Sequence, residues 1–173
     1  VYAKRPFPFE PDTQLQVTAH SLENNCIKVT FDPQTGDINS LVDRRTGREC
    51  VGRYAAKALM VDDSANDTWA HGHFVFDQVE GAFGAPEFRI LEEGPCRISL
   101  SVRQHLRNNT VEQVYTLYPD DETLHISASV FITEPLKMVK LAFCPAFQIQ
   151  NVTYGGAGDR LTKPANGREE PMQ

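Results

Sequence analysis

Residues 27–42, IKVTFDPQTGDINSLV, decide the fold of this chain. Ile27, Val29 and Phe31 alternate with polar side chains, and a period of two is that of a β-strand with one buried face. Residues 32–36 predict a turn, with proline in its first half and glycine where a positive φ costs little. Residues 38–42 predict the returning strand, so the segment is a β-hairpin.

The same alternation recurs through the second half of the chain. Four segments, separated by short turns, predict four further strands. They cover residues 98–106, 111–118, 124–132 and 139–143. The short turns favour an antiparallel meander. No apolar pattern of helical spacing persists for three turns, so the predicted fold class is all-β, an antiparallel β-sandwich.

The two ends of the sequence differ from this pattern. Residues 1–13 contain RPFPFEPD, which has too much proline for a sheet interior, and they predict a linker from a preceding domain. Residues 14–173 are predicted to form the β-sandwich domain. The last thirty residues have loop composition and supply no closing strand. We therefore expect an open edge. A second copy of the chain would cover it and give a homodimer, because Val139, Leu141 and Phe143 need a facing layer; the alternative is that the last thirty residues fold back over it.

The overall charge and the lack of long apolar runs argue against nucleic-acid and membrane partners. The chain has 17 basic and 23 acidic residues among 173, a formal charge of −6. No nucleic-acid partner is expected, because phosphate binding needs a basic surface. No apolar run reaches the roughly 18 residues of a membrane helix, so no membrane partner is expected either.

Cysteine usage bears on the compartment. The four cysteines are scattered and form no CxxC pair, so a zinc knuckle is not predicted. They are Cys26, Cys50, Cys96 and Cys144. Free thiols in apolar strands suit a reducing compartment, and the expected location is cytoplasmic. The alternative is a secreted or lysosome-like compartment. The N-glycosylation sequons at Asn66, Asn108 and Asn151 favour this alternative.

The most distinctive polar stretch is residues 62–73, DDSANDTWAHGH, which holds the only tryptophan. One hypothesis is a metal site formed by His71, His73 and Asp67. Another is a polar loop anchored by Trp69. The third, which we favour, is a sugar contact: Trp69 offers a flat apolar face, while Asp67 and His71 bond hydroxyl groups.

Binding residues are also predicted near the end of the chain. Tyr154 and Arg160 stand in a segment of loop composition, and loops on a rigid sheet often hold ligands. With Asp67, Trp69 and His71 they complete the predicted set of substrate contacts. No residue of the chain is predicted to be a metal ligand.

The sequence predicts no complete catalytic centre. His105 and His125, with Glu112 as a base, would suit a sugar mutarotase, although histidines on polar strand faces are more often simply solvated. Neighbouring carboxylates such as Glu92 and Glu93 point to opposite faces of a strand and cannot flank one glycosidic bond. We therefore expect this chain alone to be inactive and to hold no cofactor.

Several segments, in this order, resemble the β-domain of glycoside hydrolase family 38 α-mannosidases. The opening hairpin is the most specific: residues 22–36 read LENNCIKVTFDPQTG, followed by INSL at 38–41 and DRRTGRE at 43–49. The other segments are DTWAHG at 67–72, EGPCR at 93–97, EPLKMVKL at 134–141, and a final stretch with Tyr154, Gly155, Arg160 and EEP at 169–171. The likeness spans residues 21–173.

This resemblance implies a galactose-mutarotase-like supersandwich, of which the chain holds the first part. It also implies that the nucleophilic aspartate, the zinc ligands and the acid/base residue belong to a preceding barrel and helical domain. The chain would then brace the catalytic barrel of an enzyme that hydrolyses α-mannosides, and zinc would bind only in the catalytic domain. An autonomous carbohydrate-binding module and a mutarotase-like domain are the alternatives.

Overall fold

A computed structural model describes residues 14–66, 75–155 and 158–165. Every regular element in these ranges is a β-strand, which confirms the predicted all-β class. The strands are β1 (Gln16–Thr18), β2 (Ser21–Glu23), β3 (Ile27–Phe31), β4 (Ile38–Asp43), β5 (Arg48–Glu49), β6 (Lys57–Asp62), β7 (Val79–Ala82), β8 (Gly84–Glu93), β9 (Ile98–Leu106), β10 (Asn109–Leu117), β11 (His125–Phe131), β12 (Lys137–Ala142), β13 (Asn151–Gly155) and β14 (Arg160–Pro164). The described ranges include no helix long and apolar enough to cross a membrane. The predicted linker, residues 1–13, lies outside them.

The described strands form antiparallel sheets of different sizes. The largest has the order β1-β2-β3-β4-β5, and the next has the order β11-β10-β9-β8. A smaller sheet, β12-β6-β7, and a two-stranded ribbon, β13-β14, complete the set. The first two sheets pack face to face, so the predicted sandwich is confirmed.

The main core lies between the five-stranded and the four-stranded sheets. Leu22, Val29 and Phe31 belong to one sheet, Leu100 and Tyr115 to the other, and each is at most 2% exposed. The Phe31 ring packs edge-on against Tyr115 with ring centroids 4.7 Å apart. Each apolar side chain buried in this way contributes about 1.5–3 kcal/mol, so this layer supplies much of the stability of the domain.

The predicted opening hairpin is confirmed as the β3–β4 pair. Ile27, Val29 and Phe31 are buried, as the alternation required. In the turn, the Asp32 Oδ1 atom accepts hydrogen bonds from the backbone N–H groups of Gln34 and Thr35, at 2.7 and 3.2 Å. This aspartate therefore closes the turn that brings β4 back alongside β3.

The predicted four-strand meander is only partly right. Strands β9, β10 and β11 pair in sequence order, but the fourth strand of their sheet is β8, on the other side of β9. Strand β12 leaves this sheet and pairs with β6 instead. The chain departs at Leu136, whose φ is 55°, and Lys137 then bonds to Asp62 at 2.8 Å.

Strand β12 packs against a second apolar cluster, separate from the main core. A second buried cluster, formed by Ala58, Met60, Phe83 and Val111, joins the three-stranded sheet to β10. Val139 and Leu141 pack against this cluster, whereas Phe143 stays 59% exposed. The homodimer expected to cover the open edge remains a prediction.

Charged groups at the edge of the three-stranded sheet form one network. The Lys137 Nζ atom lies 2.8 Å from Asp62 Oδ1 and 2.8 Å from Glu80 Oε1. Arg107 Nη1 extends the network, 3.2 Å from Glu80 Oε2 and 2.7 Å from Glu134 Oε2. The network thus links β6, β7 and β12 to the turn between β9 and β10.

We expect this network to make stability sensitive to acid. The Lys137 hydrogen bond lowers the pKa of Asp62 from 3.8 to about 2 and lowers that of Glu80 below 4.5. A carboxylate whose pKa is lowered by folding stabilises the native state above its unfolded pKa, and this contribution is lost as the pH falls. Urea unfolding at successive pH values should therefore show the free energy of unfolding falling between pH 4.5 and about 2.

The control for this prediction is Lys137→Gln, which removes the ammonium group and keeps a polar side chain. The variant should lose less stability than the wild type over the same acid range. An unchanged acid profile in Lys137→Gln would show that other carboxylates govern the acid response.

Candidate functional site

Three of the predicted substrate contacts lie in one segment outside the described residues. These are Asp67, Trp69 and His71, within residues 67–74. The segment departs from the end of β6, where Asn66 Nδ2 donates a hydrogen bond of 2.6 Å to Asp63 Oδ1. The sugar contact predicted for this segment, and the rival metal site that adds His73, both stay predictions.

The other two predicted contacts lie in the β13–β14 ribbon, so the loop predicted for this segment is wrong. Tyr154 pairs with Leu161 and Arg160 pairs with Gly155, so the two predicted residues occupy neighbouring register positions. Successive positions of a strand point to opposite faces. The Tyr154 ring is 46% exposed on one face, while Arg160 belongs to the other. The structure therefore does not bring these two side chains to one face of the ribbon.

The mutarotase hypothesis required a histidine and a carboxylate on one face of the four-stranded sheet. Glu112 lies beside Arg103, with Arg103 Nη2 at 2.8 Å from Glu112 Oε2, and Ser101 donates to the other carboxylate oxygen at 2.7 Å. The Arg103 hydrogen bond lowers the pKa of Glu112. A general base near neutral pH needs the opposite shift, so Glu112 is a weak base here.

The two histidines of that hypothesis are also far apart. His105 pairs with Thr110 and His125 pairs with Thr116, six positions away along β10. At about 3.4 Å per residue the separation is roughly 20 Å. His125 is hydrogen-bonded to Asp121, with His125 Nε2 2.7 Å from Asp121 Oδ2. The two histidines therefore cannot act together at one site.

Neither a metal cluster nor a disulfide is found in the part of the chain that the structure describes. No group of three His, Cys, Asp or Glu side chains in it is arranged to hold a metal ion. The four cysteines are free thiols.

Comparison with known families identifies the architecture. The sequence model of a family described as the glycosyl hydrolases family 38 C-terminal domain matches residues 22–173. The chain belongs to family 38. The resemblance of the motifs is thereby confirmed, and the all-β sandwich is that of the C-terminal domain of a glycosyl hydrolase. No curated protein matches the chain.

The family 38 match begins at a hairpin held by a buried asparagine that sequence reasoning missed. Asn24 is fully buried, and its Nδ2 donates to the carbonyl oxygens of Tyr118 and Asp121 at 2.6 and 2.7 Å. Its Oδ1 accepts from the backbone N–H groups of Cys26 and Ile27 at 2.9 and 2.7 Å. Asn24 therefore joins the opening hairpin of the family 38 domain to the turn after β10.

A buried polar group inside the family 38 sandwich was also missed. Gln104 Nε2 donates to the Thr35 carbonyl oxygen at 2.6 Å, and Gln113 Nε2 donates to Gln104 Oε1 at 3.2 Å. Asp37 is 4% exposed and pairs with Lys57, at 3.0 Å between Oδ2 and Nζ. Glutamine is usually exposed, but Gln104 has the same strand parity as Leu100 and Val102, so the alternation itself placed it on the buried face.

Proposed function

We propose that this chain is the non-catalytic β-sandwich domain of an α-mannosidase, an enzyme that hydrolyses α-mannosides. The family 38 match over residues 22–173 is the observation that carries the proposal. The domain braces the catalytic barrel of the same parent chain and lends loops to the rim of the sugar site. Asp67, Trp69, His71, Tyr154 and Arg160 are the candidate rim residues, and mannoside is the substrate.

An apolar groove beside β4 and β5 supports the bracing role. It has a volume of about 450 Å³ and is lined mainly by aliphatic and aromatic side chains, including Ile38, Leu41 and Ile126. At its rim Phe143 and Phe147 are 59% and 47% exposed. A contiguous exposed apolar surface of this kind typically marks an interface. The catalytic barrel is the occupant we propose.

In this proposal the zinc ion lies in the catalytic domain. The described residues do not fit a zinc site, because no three His, Cys, Asp or Glu side chains among them converge. The proposal also places the two carboxyl groups that flank the scissile bond in the catalytic domain. The chain contributes shape and rigidity, and no chemical step is assigned to its residues.

The proposed location is the cytoplasm. The four free thiols support a reducing compartment, since secreted domains of this size often pair their cysteines. A secreted or lysosome-like location is the alternative that the three sequons favour.

Side-by-side assays of the parent enzyme and this chain test the proposal. With an aryl α-mannoside, the parent should release mannose in a zinc-dependent manner, and the 173-residue chain should release none. Chelation followed by zinc addition is the matched control, since it should abolish and restore the activity of the parent only. Zinc-dependent release by the chain alone would contradict the non-catalytic role. A parent that cleaves another glycoside but no α-mannoside would contradict the specificity.

A further inference from the structure

The outer face of the four-stranded sheet carries a compact set of side chains near one end of its strands. Residues that are opposite in the register share a face. Glu112 on β10 is opposite Arg103 on β9 and Ser129 on β11. One row further, Thr110 is opposite His105 and Phe131. We call this set the β9–β11 face: Arg103, His105, Thr110, Glu112, Ser129 and Phe131.

The β9–β11 face is concave enough to hold a small ligand. A shallow cavity of about 340 Å³ is lined by these six side chains and by Val130. Cavities of roughly 300–1,000 Å³ are typical of small-molecule sites. The β9–β11 face is therefore of the right size for one or two sugar rings.

The polar side chains of the cavity are held in place and keep hydrogen-bonding capacity. Arg103 uses Nη2 to bind Glu112, and a guanidinium has five N–H donors in a fixed plane. Glu112 accepts one bond on each carboxylate oxygen, from Ser101 and Arg103, and each oxygen can accept another. His105 is fixed by Thr110 at 3.2 Å and by Glu87 at 3.4 Å. Donors and acceptors thus stand side by side, as vicinal hydroxyl groups require.

Phe131 supplies an apolar surface next to these polar groups. Its side chain is 64% exposed, although its neighbours on the same face of β11 are polar. The apolar alternation of β11 falls on the other parity, at Ile126, Ala128 and Val130, so Phe131 takes no part in either buried cluster. An exposed aromatic ring beside fixed polar groups is the usual arrangement for stacking on a flat apolar ligand surface.

We propose that the β9–β11 face binds a pyranose sugar, with Phe131 stacked on the apolar face of the ring and Arg103, Glu112 and Thr110 bonding its hydroxyl groups. This site is separate from the hydrolytic centre and involves no chemical step. It is an accessory binding site that holds a glycan chain on the surface of the domain. Only the inclusion of a mannose oligosaccharide among the probes rests on the proposed function.

Nuclear magnetic resonance titration of the 173-residue chain tests this site. The probes are α-linked mannotriose, cellotriose and a β-linked galactotriose. At least one probe should give saturable shifts confined to β9, β10 and β11, with a Kd on the order of 1 mM. Phe131→Ala should weaken that binding about two- to twelve-fold, because aromatic stacking contributes roughly 0.5–1.5 kcal/mol.

Two variants separate binding from folding. Leu136→Ala removes a side chain that is 63% exposed, a close match to Phe131, and should leave the affinity unchanged. Arg103→Met keeps the length of the side chain and should weaken binding by about ten-fold or more, since it removes charged donors. Thermal unfolding should show all three variants folded, as these side chains are exposed or half-exposed.

Each outcome bears on the proposal. Binding of cellotriose or galactotriose without mannotriose supports a sugar site on the β9–β11 face and contradicts mannose as the sugar of this site. Absence of saturable shifts with all three sugars overturns the site, whatever the mannosidase assay of the parent shows. Shifts located elsewhere, or a Phe131→Ala variant with full affinity, also overturn it.

Discussion

Replacing Asn24 with alanine should destabilise the domain by about 3–5 kcal/mol. The amide makes four hydrogen bonds to backbone groups, at 2.6–2.9 Å, and is fully buried. Alanine would leave two carbonyl oxygens and two N–H groups without these partners, and each unsatisfied buried group costs roughly 1–3 kcal/mol. Some of the loss is recovered where water reaches the turn. Urea unfolding of the purified chain measures the difference.

The neighbouring asparagine is the matched control. Asn25 donates one exposed hydrogen bond of 2.7 Å, from its Nδ2 to Asp120 Oδ1. Asn25→Ala should therefore change the free energy of unfolding by less than about 1 kcal/mol. Equal losses in the two variants would show that the buried amide of Asn24 has no special role.

Gly36→Ala is expected to have a similarly large effect, about 2–5 kcal/mol. Gly36 has a φ of 81°, a left-handed conformation that costs alanine roughly 1–2 kcal/mol. In addition, a Cβ atom would lie 2.9 Å from Pro86 Cβ, 3.0 Å from Val102 Cγ1 and 3.0 Å from Gln104 Nε2. Such overpacking costs a further 1–3 kcal/mol or so. Thermal and urea unfolding should both report the loss.

Gly47→Ala separates the two contributions. Gly47 has a φ of 71°, but a Cβ atom there would meet no atom within 4 Å. The variant should lose only the conformational part, about 1 kcal/mol. If Gly36→Ala loses no more than Gly47→Ala, the close approach of β8 and β9 to the hairpin turn is not tight in solution.

Six of the described strands, β3, β4 and β9–β12, could be predicted from the sequence, but their partners could be predicted only locally. The β3–β4 and β9–β10 pairs follow from alternation and a short turn, and both formed as expected. The pairing of β12 with β6 joins residues distant in sequence, and alternation has no information on such a choice. The hydrogen-bond partners of Asn24 and Gln104 were missed for a related reason, because they come from distant segments.

The candidate site was predictable in composition rather than in geometry. The aromatic and charged side chains of Tyr154 and Arg160 are plain in the sequence, but their opposite faces depend on the β13–β14 register. Phe131 was overlooked because the apolar alternation of residues 124–132 lies on the even-numbered positions, and Phe131 is on the opposite face of the strand. Its exposure only becomes informative once Thr110 and Glu112 are known to lie beside it.

The pairing of β6 with β12 has a consequence for synthesis on the ribosome. Asp62 and its partner Lys137 are 75 positions apart. At about 5–20 residues per second, one edge of β6 stays without its partner strand for roughly 4–15 s after it is made. An unpaired strand edge is a template for association with other chains. We therefore expect nascent chains of this domain to need chaperones during that interval. Strong overexpression, which raises the number of chains with an unpaired edge, should send part of them into inclusion bodies.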